Sequence, residues 1–299
     1  MDALRGVFAP ATTPFDPVTG EADVIALRHN LRQWLRAPLA GVVLFGSTGE
    51  GVLLDEDERA RLLAAARDAV PAERLLLAGA GAESTRATIR LCRAAAAGGA
   101  DAVLVQPPAY YKPQLTPEAL RDHFQAVADA SPLPVLLYQV PPRFSGVELP
   151  AGLVGELAQH PNIVGIKDSS GDLRTLAALV EACGRRCAVL VGNGAILFGA
   201  LEVGAVGGIL AAALLAPERA ASLHAHHAQG ELATAGRLQE RLTMLHRRVV
   251  AELGVPGLKA ALDLLALHGG APRPPLKPLR ASAAAELRTL LAQAGLLPR

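Results

Sequence analysis

The feature that most restricts the fold of this chain is a repeated alternation of short apolar runs with longer amphipathic stretches. The apolar runs are predicted strands, and they cover residues 6–9, 41–45, 75–78, 102–105, 135–138, 163–167, 189–191 and 207–210. The stretches between them predict helices over residues 22–36, 55–69, 84–97, 117–129, 150–159, 172–182 and 195–201. Eight strand–helix units at intervals of roughly 20–35 residues are typical of an α/β fold of the (β/α)8 TIM-barrel type.

A doubly wound sheet is the competing interpretation of the same alternation. It would have fewer strands and a glycine-rich turn directly after the first one. The segment VFAPATTPF (residues 7–15) contains no glycine, so the barrel is favoured. After about residue 215 only helical patterns follow, over residues 217–229, 231–253, 257–268 and 281–294. We therefore expect a barrel domain over residues 1–225 and a C-terminal helical domain over residues 226–299.

Composition argues against several classes of protein. A formal net charge of +1 offers no basic surface to nucleic acid or to an anionic membrane. The N-terminus has no signal-peptide pattern and no long apolar run follows, so we expect a cytoplasmic protein. Three cysteines are too few for a disulfide framework, and they lack the second pair of ligands that zinc requires. We interpret His224, His226 and His227 as solvated histidines on a helix; a metal site is the less favoured alternative.

Lys167 is the most informative single residue, because it ends a predicted strand that should be buried on both faces. Burial of an ammonium group is costly, so this lysine either pairs with Asp168 or Glu50 or is held neutral for chemistry. The chain has 25 Arg and only 4 Lys, and the other three lysines lie in predicted loops or in the C-terminal region. Arg cannot deprotonate, so a lysine kept in a barrel strand indicates a neutral amine that attacks a carbonyl carbon.

The other candidates also follow predicted strands, because a barrel builds its active site at the C-terminal ends of its strands. They are Thr12, Thr13, the loop GSTGE at residues 46–50, Tyr110, Tyr111, Tyr138, Gly192, Asn193 and Ile209. Tyr138, one strand from Lys167, is either a proton-relay phenol or an aromatic core residue. Ser47 and Thr48 lie between glycines and offer hydroxyl and N–H groups to a carboxylate, with phosphate as the alternative ligand.

Taken in order, these motifs resemble the dihydrodipicolinate synthase / N-acetylneuraminate lyase family of pyruvate-dependent class I aldolases. The resemblance runs from about Gly6 to the C-terminus and is carried by TTPF (12–15), GSTGE (46–50), PAYY (108–111), YQVP (138–141) and GIKDSSGD (165–172). It implies a barrel with a C-terminal helical domain and a homotetramer built from tight dimers. It also implies that pyruvate and an aldehyde are the substrates, and that a covalent lysine imine takes the place of any metal or cofactor.

The matching motifs imply a role for each residue. Lys167 would be the Schiff-base lysine and Tyr138 the proton-relay phenol. Ser47 and Thr48 would bind the carboxylate of the 2-oxo acid, with Ser47 also in the relay. Tyr110 would complete that relay across the dimer interface. The carbonyl of Ile209 would face the lysine, while Gly192 and Asn193 are further candidates for substrate binding.

Within the family, residues 74–89, 157–172, 202–209 and 254–263 look most like 4-hydroxy-2-oxoglutarate aldolase, which yields pyruvate and glyoxylate. The sequence departs from the family pattern at Gln139, where Asn or Ser is commoner, and at PPRFSG (141–146), which is about one residue longer than usual. Arg143 in this segment is a candidate for the arginine by which dihydrodipicolinate synthase holds aspartate semialdehyde, and it would also suit glyoxylate.

We therefore expect 4-hydroxy-2-oxoglutarate aldolase activity first and dihydrodipicolinate synthase activity second. Sialic acid lyase and sugar-acid aldolase or dehydratase activities come after these. Two hypotheses from other classes are a non-catalytic 2-oxo acid binding protein and a phosphate-binding barrel isomerase. The isomerase is disfavoured because the phosphate loops of barrels usually follow strands seven and eight.

Overall fold

The computed structural model describes residues 2–298 and contains a closed barrel of eight parallel strands in chain order. The strands are Gly6–Pro10 (β1), Gly41–Leu44 (β2), Leu75–Gly79 (β3), Ala102–Val105 (β4), Val135–Gln139 (β5), Ile163–Asp168 (β6), Ala188–Val191 (β7) and Gly207–Ile209 (β8). The barrel closes where β8 pairs with β1, from Gly6 opposite Gly207 to Phe8 opposite Ile209. The predicted fold is confirmed.

Helices follow the strands on the outside of the barrel. They are Val24–Trp34 (α1), Glu56–Ala69 (α2), Thr85–Ala97 (α3), Pro117–Ala130 (α4), Ala151–Leu157 (α5), Leu173–Cys183 (α6), Leu197–Glu202 (α7) and Pro217–Ala228 (α8). Their starts are encoded locally: Asp55 and Glu58 form a capping box at α2, while the Ser84 side chain caps α3.

The C-terminal region consists of Leu232–Leu245 (α9), a π-helical turn at His246–Ala251, Gly254–Leu264 (α10) and Ala281–Gln293 (α11). The expected domain division after residue 225 falls inside α8, which packs on β1 as the eighth helix of the barrel and ends at Ala228. Among residues 2–298, no helix combines the length and the apolar character needed to span a bilayer.

Strand alternation divides the core into two parts. One set of strand side chains packs against the helices, together with Trp34, whose indole N–H donates to the Leu214 carbonyl at 3.0 Å. The alternate set fills the barrel interior, with Phe8, Leu77 and Leu136 among its members. Polar side chains that end a strand on the interior face are therefore directed into the mouth of the barrel.

Candidate active site

Lys167 and Tyr138 meet at the C-terminal mouth of the barrel. They lie directly opposite each other in the β5–β6 register. Their neighbours Leu137 and Ile166 pack in the outer core, so both side chains point into the barrel. Lys167 Nζ is 4.3 Å from the centroid of the Tyr138 ring, and Lys167 is only 6% exposed. The structure thus places a buried amine against the face of a phenol.

Neither of the two carboxylates considered as partners pairs with Lys167. Glu50 accepts a hydrogen bond from Lys259 Nζ at 2.8 Å. The Asp168 carboxylate accepts from the backbone N–H and the hydroxyl of Ser170, and burial raises its pKa. Lys167 is therefore not held in an ion pair with either of them.

The loop after β2 places Ser47 beside Tyr138. Ser47–Gly49 forms a 3-10 turn, and Ser47 Oγ lies 3.4 Å from Tyr138 Oη. A hydrogen bond from Thr13, in the loop after β1, holds the turn in place: Thr13 Oγ1 donates to the Gly49 carbonyl at 2.7 Å. The two hydroxyl groups are therefore within hydrogen-bond distance of each other, as a proton relay requires, and the ring of the same phenol lies against the Lys167 amine.

Gly192 and Asn193 border the amine from β7. A Cβ atom at Gly192 would lie 3.0 Å from Lys167 Cε and would overlap Ser169 Oγ, so only glycine fits against the lysine. The side-chain oxygen of Asn193 accepts the N–H of Ala195 at 2.9 Å and so shapes the loop that follows.

These residues line one open cavity of about 260 Å³, large enough for a small organic acid. The predicted site residues that it contains are Ser47, Thr48, Tyr138, Arg143, Lys167, Gly192, Asn193 and Ile209. Tyr110 is not among its lining residues. Its side chain is 78% exposed and stacks edge-to-face on Tyr111, while its backbone N–H donates to Glu83. A single chain therefore does not bring Tyr110 into the site.

His246 lines the same cavity and was missed by the sequence analysis. Its Nδ1 accepts the N–H of Gly194 at 3.2 Å. Burial, aided by Arg143 and Arg247, lowers the pKa of His246 to about 4. The helical pattern of residues 231–253 gave no signal for it, because periodicity does not show which part of a helix reaches the mouth of the barrel.

Lys259 shows that burial alone does not single out Lys167. It lies in the C-terminal region as expected, on α10, yet it is fully buried. Its amine donates to Glu50 and to the Thr13 carbonyl, each at 2.8 Å. The difference between the two lysines is the carboxylate partner, which Lys259 has.

The three histidines near the end of the barrel have other partners. His224 contacts the Val206 carbonyl, His226 pairs with Glu231 and His227 pairs with Glu202. No group of three or more His, Cys, Asp or Glu side chains that could hold a metal occurs among the described residues.

A closed (β/α)8 barrel with a buried amine beside a phenol at its mouth is typical of a lyase of the class I aldolase type. Comparisons with known proteins agree. Residues 3–294 match the family model described as the dihydrodipicolinate synthetase family. The chain belongs to this family, whose substrates are pyruvate and an aldehyde. The predicted family is confirmed, and the alternatives of a non-catalytic binding protein and a phosphate-binding isomerase are set aside.

Individual relatives cover almost the whole chain. An L-threo-3-deoxy-hexylosonate aldolase of Hypocrea jecorina is 35% identical over 92% of this chain and 90% of its own length. A 4-hydroxy-tetrahydrodipicolinate synthase of Acidiphilium cryptum is 36% identical over 98% of this chain and 99% of its own. The pyruvate complex of the chloride-inhibited dihydrodipicolinate synthase of Acinetobacter baumannii superposes with a TM-score of 0.93, at 32% identity, covering 98% of this chain and 100% of that one.

Proposed function

We propose that this chain cleaves 4-hydroxy-2-oxoglutarate to pyruvate and glyoxylate through an imine on Lys167. The observation that carries the proposal is the environment of the Lys167 amine. It is buried, has no carboxylate partner among residues 2–298 and lies 4.3 Å from the centroid of the Tyr138 ring. Such an amine is placed to attack a carbonyl carbon, whereas the other buried lysine, Lys259, is held in an ion pair.

The chemistry follows from these positions. The Lys167 amine adds to the C2 keto carbon, and loss of water from the carbinolamine leaves an iminium. Tyr138, linked to Ser47, removes the proton of the C4 hydroxyl, the C3–C4 bond breaks and its electron pair passes to the iminium as an enamine. Glyoxylate leaves, the enamine takes a proton at C3, and water releases pyruvate and restores the amine.

Substrate orientation comes from groups at the two ends of the cavity. Ser47 and Thr48 bind the carboxylate next to the keto carbon through their N–H and hydroxyl groups. Arg143 reaches the same cavity from the loop after β5 and binds the carboxylate that becomes part of glyoxylate. No metal or other cofactor takes part in this scheme.

We further propose that the active form is a homotetramer built from dimers, in which Tyr110 of one subunit completes the relay of its neighbour. Tyr110 and Tyr111 are large aromatic side chains that are 78% and 68% exposed on the single chain. Exposed aromatic pairs are uncommon on a monomer and typical of a surface that another protein covers.

Synthesis of 4-hydroxy-tetrahydrodipicolinate from pyruvate and aspartate semialdehyde is the second candidate. One observation favours it: the Acidiphilium cryptum relative named for this activity matches over 99% of its length. Arg143 suits the carboxylate of aspartate semialdehyde as well as that of glyoxylate. The name of the Hypocrea jecorina relative points instead to a deoxy sugar acid as a third possibility.

Initial rates with 4-hydroxy-2-oxoglutarate, with pyruvate plus aspartate semialdehyde and with a 3-deoxy-hexulosonate separate the candidates. We expect kcat/KM for 4-hydroxy-2-oxoglutarate to exceed the others by at least tenfold. Comparable values would show that the likeness to 4-hydroxy-2-oxoglutarate aldolase carries no information on the substrate. Lys167→Arg should abolish every activity, and Lys277→Arg, on the exposed C-terminal segment, is its matched control.

A further inference from the structure

The C-terminal helical region reaches the active site through one face of α9 and the π-turn after it. Gln239, Thr243 and His246 are spaced i, i+4 and i+7, and all three contact the loop after β7. Gln239 Nε2 donates to the Gly194 carbonyl at 2.9 Å, and Thr243 Oγ1 donates to the Ala195 carbonyl at 3.2 Å. His246, the last of the three, accepts the Gly194 N–H and also lines the cavity.

That single contact settles the tautomer of His246. Nδ1 accepts a hydrogen bond from a backbone N–H, so in the neutral ring the proton is on Nε2. Because burial lowers the pKa of His246 to about 4, the ring is neutral at physiological pH. Within residues 2–298, Nε2 has no protein hydrogen-bond partner. His246 therefore presents an unused N–H donor at the cavity.

The position of this donor relative to the other groups indicates what it recognises. Ser47 and Thr48 follow β2, which lies across the ring of strands from Lys167 on β6, whereas His246 contacts the loop after β7, the strand next to β6. A substrate held at one end by Ser47 and Thr48 and bonded to Lys167 extends away from the β2 loop. Arg143 lies near enough to His246 for its charge to act on the imidazole.

We propose that His246 determines specificity, its Nε2–H donating to the carboxylate of the acidic aldehyde that Arg143 attracts. This inference rests on the imine chemistry proposed for Lys167. The charge of an exposed arginine attracts a carboxylate, and a hydrogen bond from a neutral N–H donor then favours one orientation of that carboxylate. The aldehyde half of the substrate is then a short anion, and a neutral aldehyde of equal length lacks the oxygen pair that His246 and Arg143 bind.

Two substitutions distinguish a role of His246 in aldehyde binding from a role in holding the loop after β7. His246→Asn keeps an oxygen near the position of Nδ1 for the Gly194 N–H, but it has no donor where Nε2 was. His246→Gln places an amide N–H near the position of Nε2 and weakens the contact with Gly194. If the histidine only fixes the loop, Asn is the milder change; if it binds the aldehyde, Gln is the milder change.

The test is condensation of pyruvate with glyoxylate and with glycolaldehyde, which has the same length and no charge. We expect His246→Asn to raise KM for glyoxylate roughly tenfold or more while changing KM for glycolaldehyde less than threefold, with His246→Gln in between. If aspartate semialdehyde proves the faster acceptor, 3-aminopropanal is its counterpart without the carboxylate. Equal effects on both aldehydes, or a larger effect of Gln than of Asn, would overturn the proposal.

Failure of the proposed function has a different signature. Borohydride reduction of the wild-type protein with pyruvate reports the imine alone, before any aldehyde is bound. Labelled Lys167 together with unchanged aldehyde selectivity in His246→Asn would refute only the role of His246. Absence of the label from Lys167 in the wild type would refute the imine chemistry itself.

Discussion

Lys259→Met tests how the C-terminal region supports the loop that carries Ser47 and Thr48. Glu50 ends that loop, with a left-handed φ of 55°, and its carboxylate is buried. Lys259 Nζ donates hydrogen bonds to the Glu50 carboxylate and to the Thr13 carbonyl, each at 2.8 Å. The Lys259 side chain is 0% exposed and the Glu50 side chain 1%. Methionine fills a similar volume. Of the hydrogen bonds to the Glu50 carboxylate in the described structure, it leaves the one from the backbone N–H of Arg273, at 2.7 Å.

The expected loss is large, because removing one partner of a buried ion pair typically costs about 3–5 kcal/mol of unfolding free energy. At roughly 2 °C per kcal/mol for a chain of this size, the melting temperature should fall by about 6–10 °C. Differential scanning calorimetry measures this directly. Lys277→Met, on the exposed segment before α11, is the control and should melt within about 1 °C of the wild type.

A double substitution distinguishes the cost of leaving the Glu50 charge unpaired from the cost of losing the Lys259 hydrogen bonds. Burial lowers the pKa of Lys259 against the opposing effect of Glu50, so desolvation offsets much of what the pair contributes. Glu50→Gln combined with Lys259→Met removes both charges and should recover more than half of the lost melting temperature. A single Lys259→Met variant that melts like the wild type, or a double variant less stable than the single one, would refute this reasoning.

Three further substitutions test other parts of the account. Tyr138→Phe should lower kcat by about 10²–10⁴-fold in steady-state assays, because it removes the hydroxyl that lies 3.4 Å from Ser47 Oγ; unchanged kcat would exclude the relay. Gly192→Ala should reduce pyruvate-imine formation at least tenfold, measured by borohydride labelling, because its Cβ would overlap Ser169 Oγ beside Lys167; full labelling would contradict the close packing. Burial lowers the pKa of His123 to about 4, so on acidification the folded protein binds this proton at a lower pH than the unfolded chain does. The free energy of unfolding should therefore fall by up to about 3 kcal/mol between pH 6.5 and pH 4. His123→Gln should flatten that decline in urea titrations at pH 7 and 4.5, and an identical slope would show that another group causes it.

Much of the fold was predictable because its signals are local. Each predicted strand agrees with the structure to within one residue at either end, since the apolar runs and the turns that bound them are short-range features. The site at the strand ends follows from the barrel itself. Once Tyr138 and Lys167 were assigned to adjacent strands, their meeting at the mouth was a consequence of parallel pairing.

The parts that escaped prediction depend on contacts between distant segments. Lys259 and Glu50 are 209 positions apart, and nothing in the sequence near either residue indicates the other. His246 lies at the start of the π-turn, and helical periodicity does not show that this part of the segment packs on the loop after β7. The domain boundary expected after residue 225 stays a prediction; it lies inside α8, because helical periodicity does not show what a helix packs against.

The most direct test of the account is reduction with borohydride in the presence of pyruvate, followed by peptide mass mapping. The account predicts a single modified lysine, Lys167, and no label on Lys259, whose amine is engaged with Glu50. Label at another lysine with Lys167 unmodified, or full turnover by Lys167→Arg, would contradict the claim that this amine forms the imine.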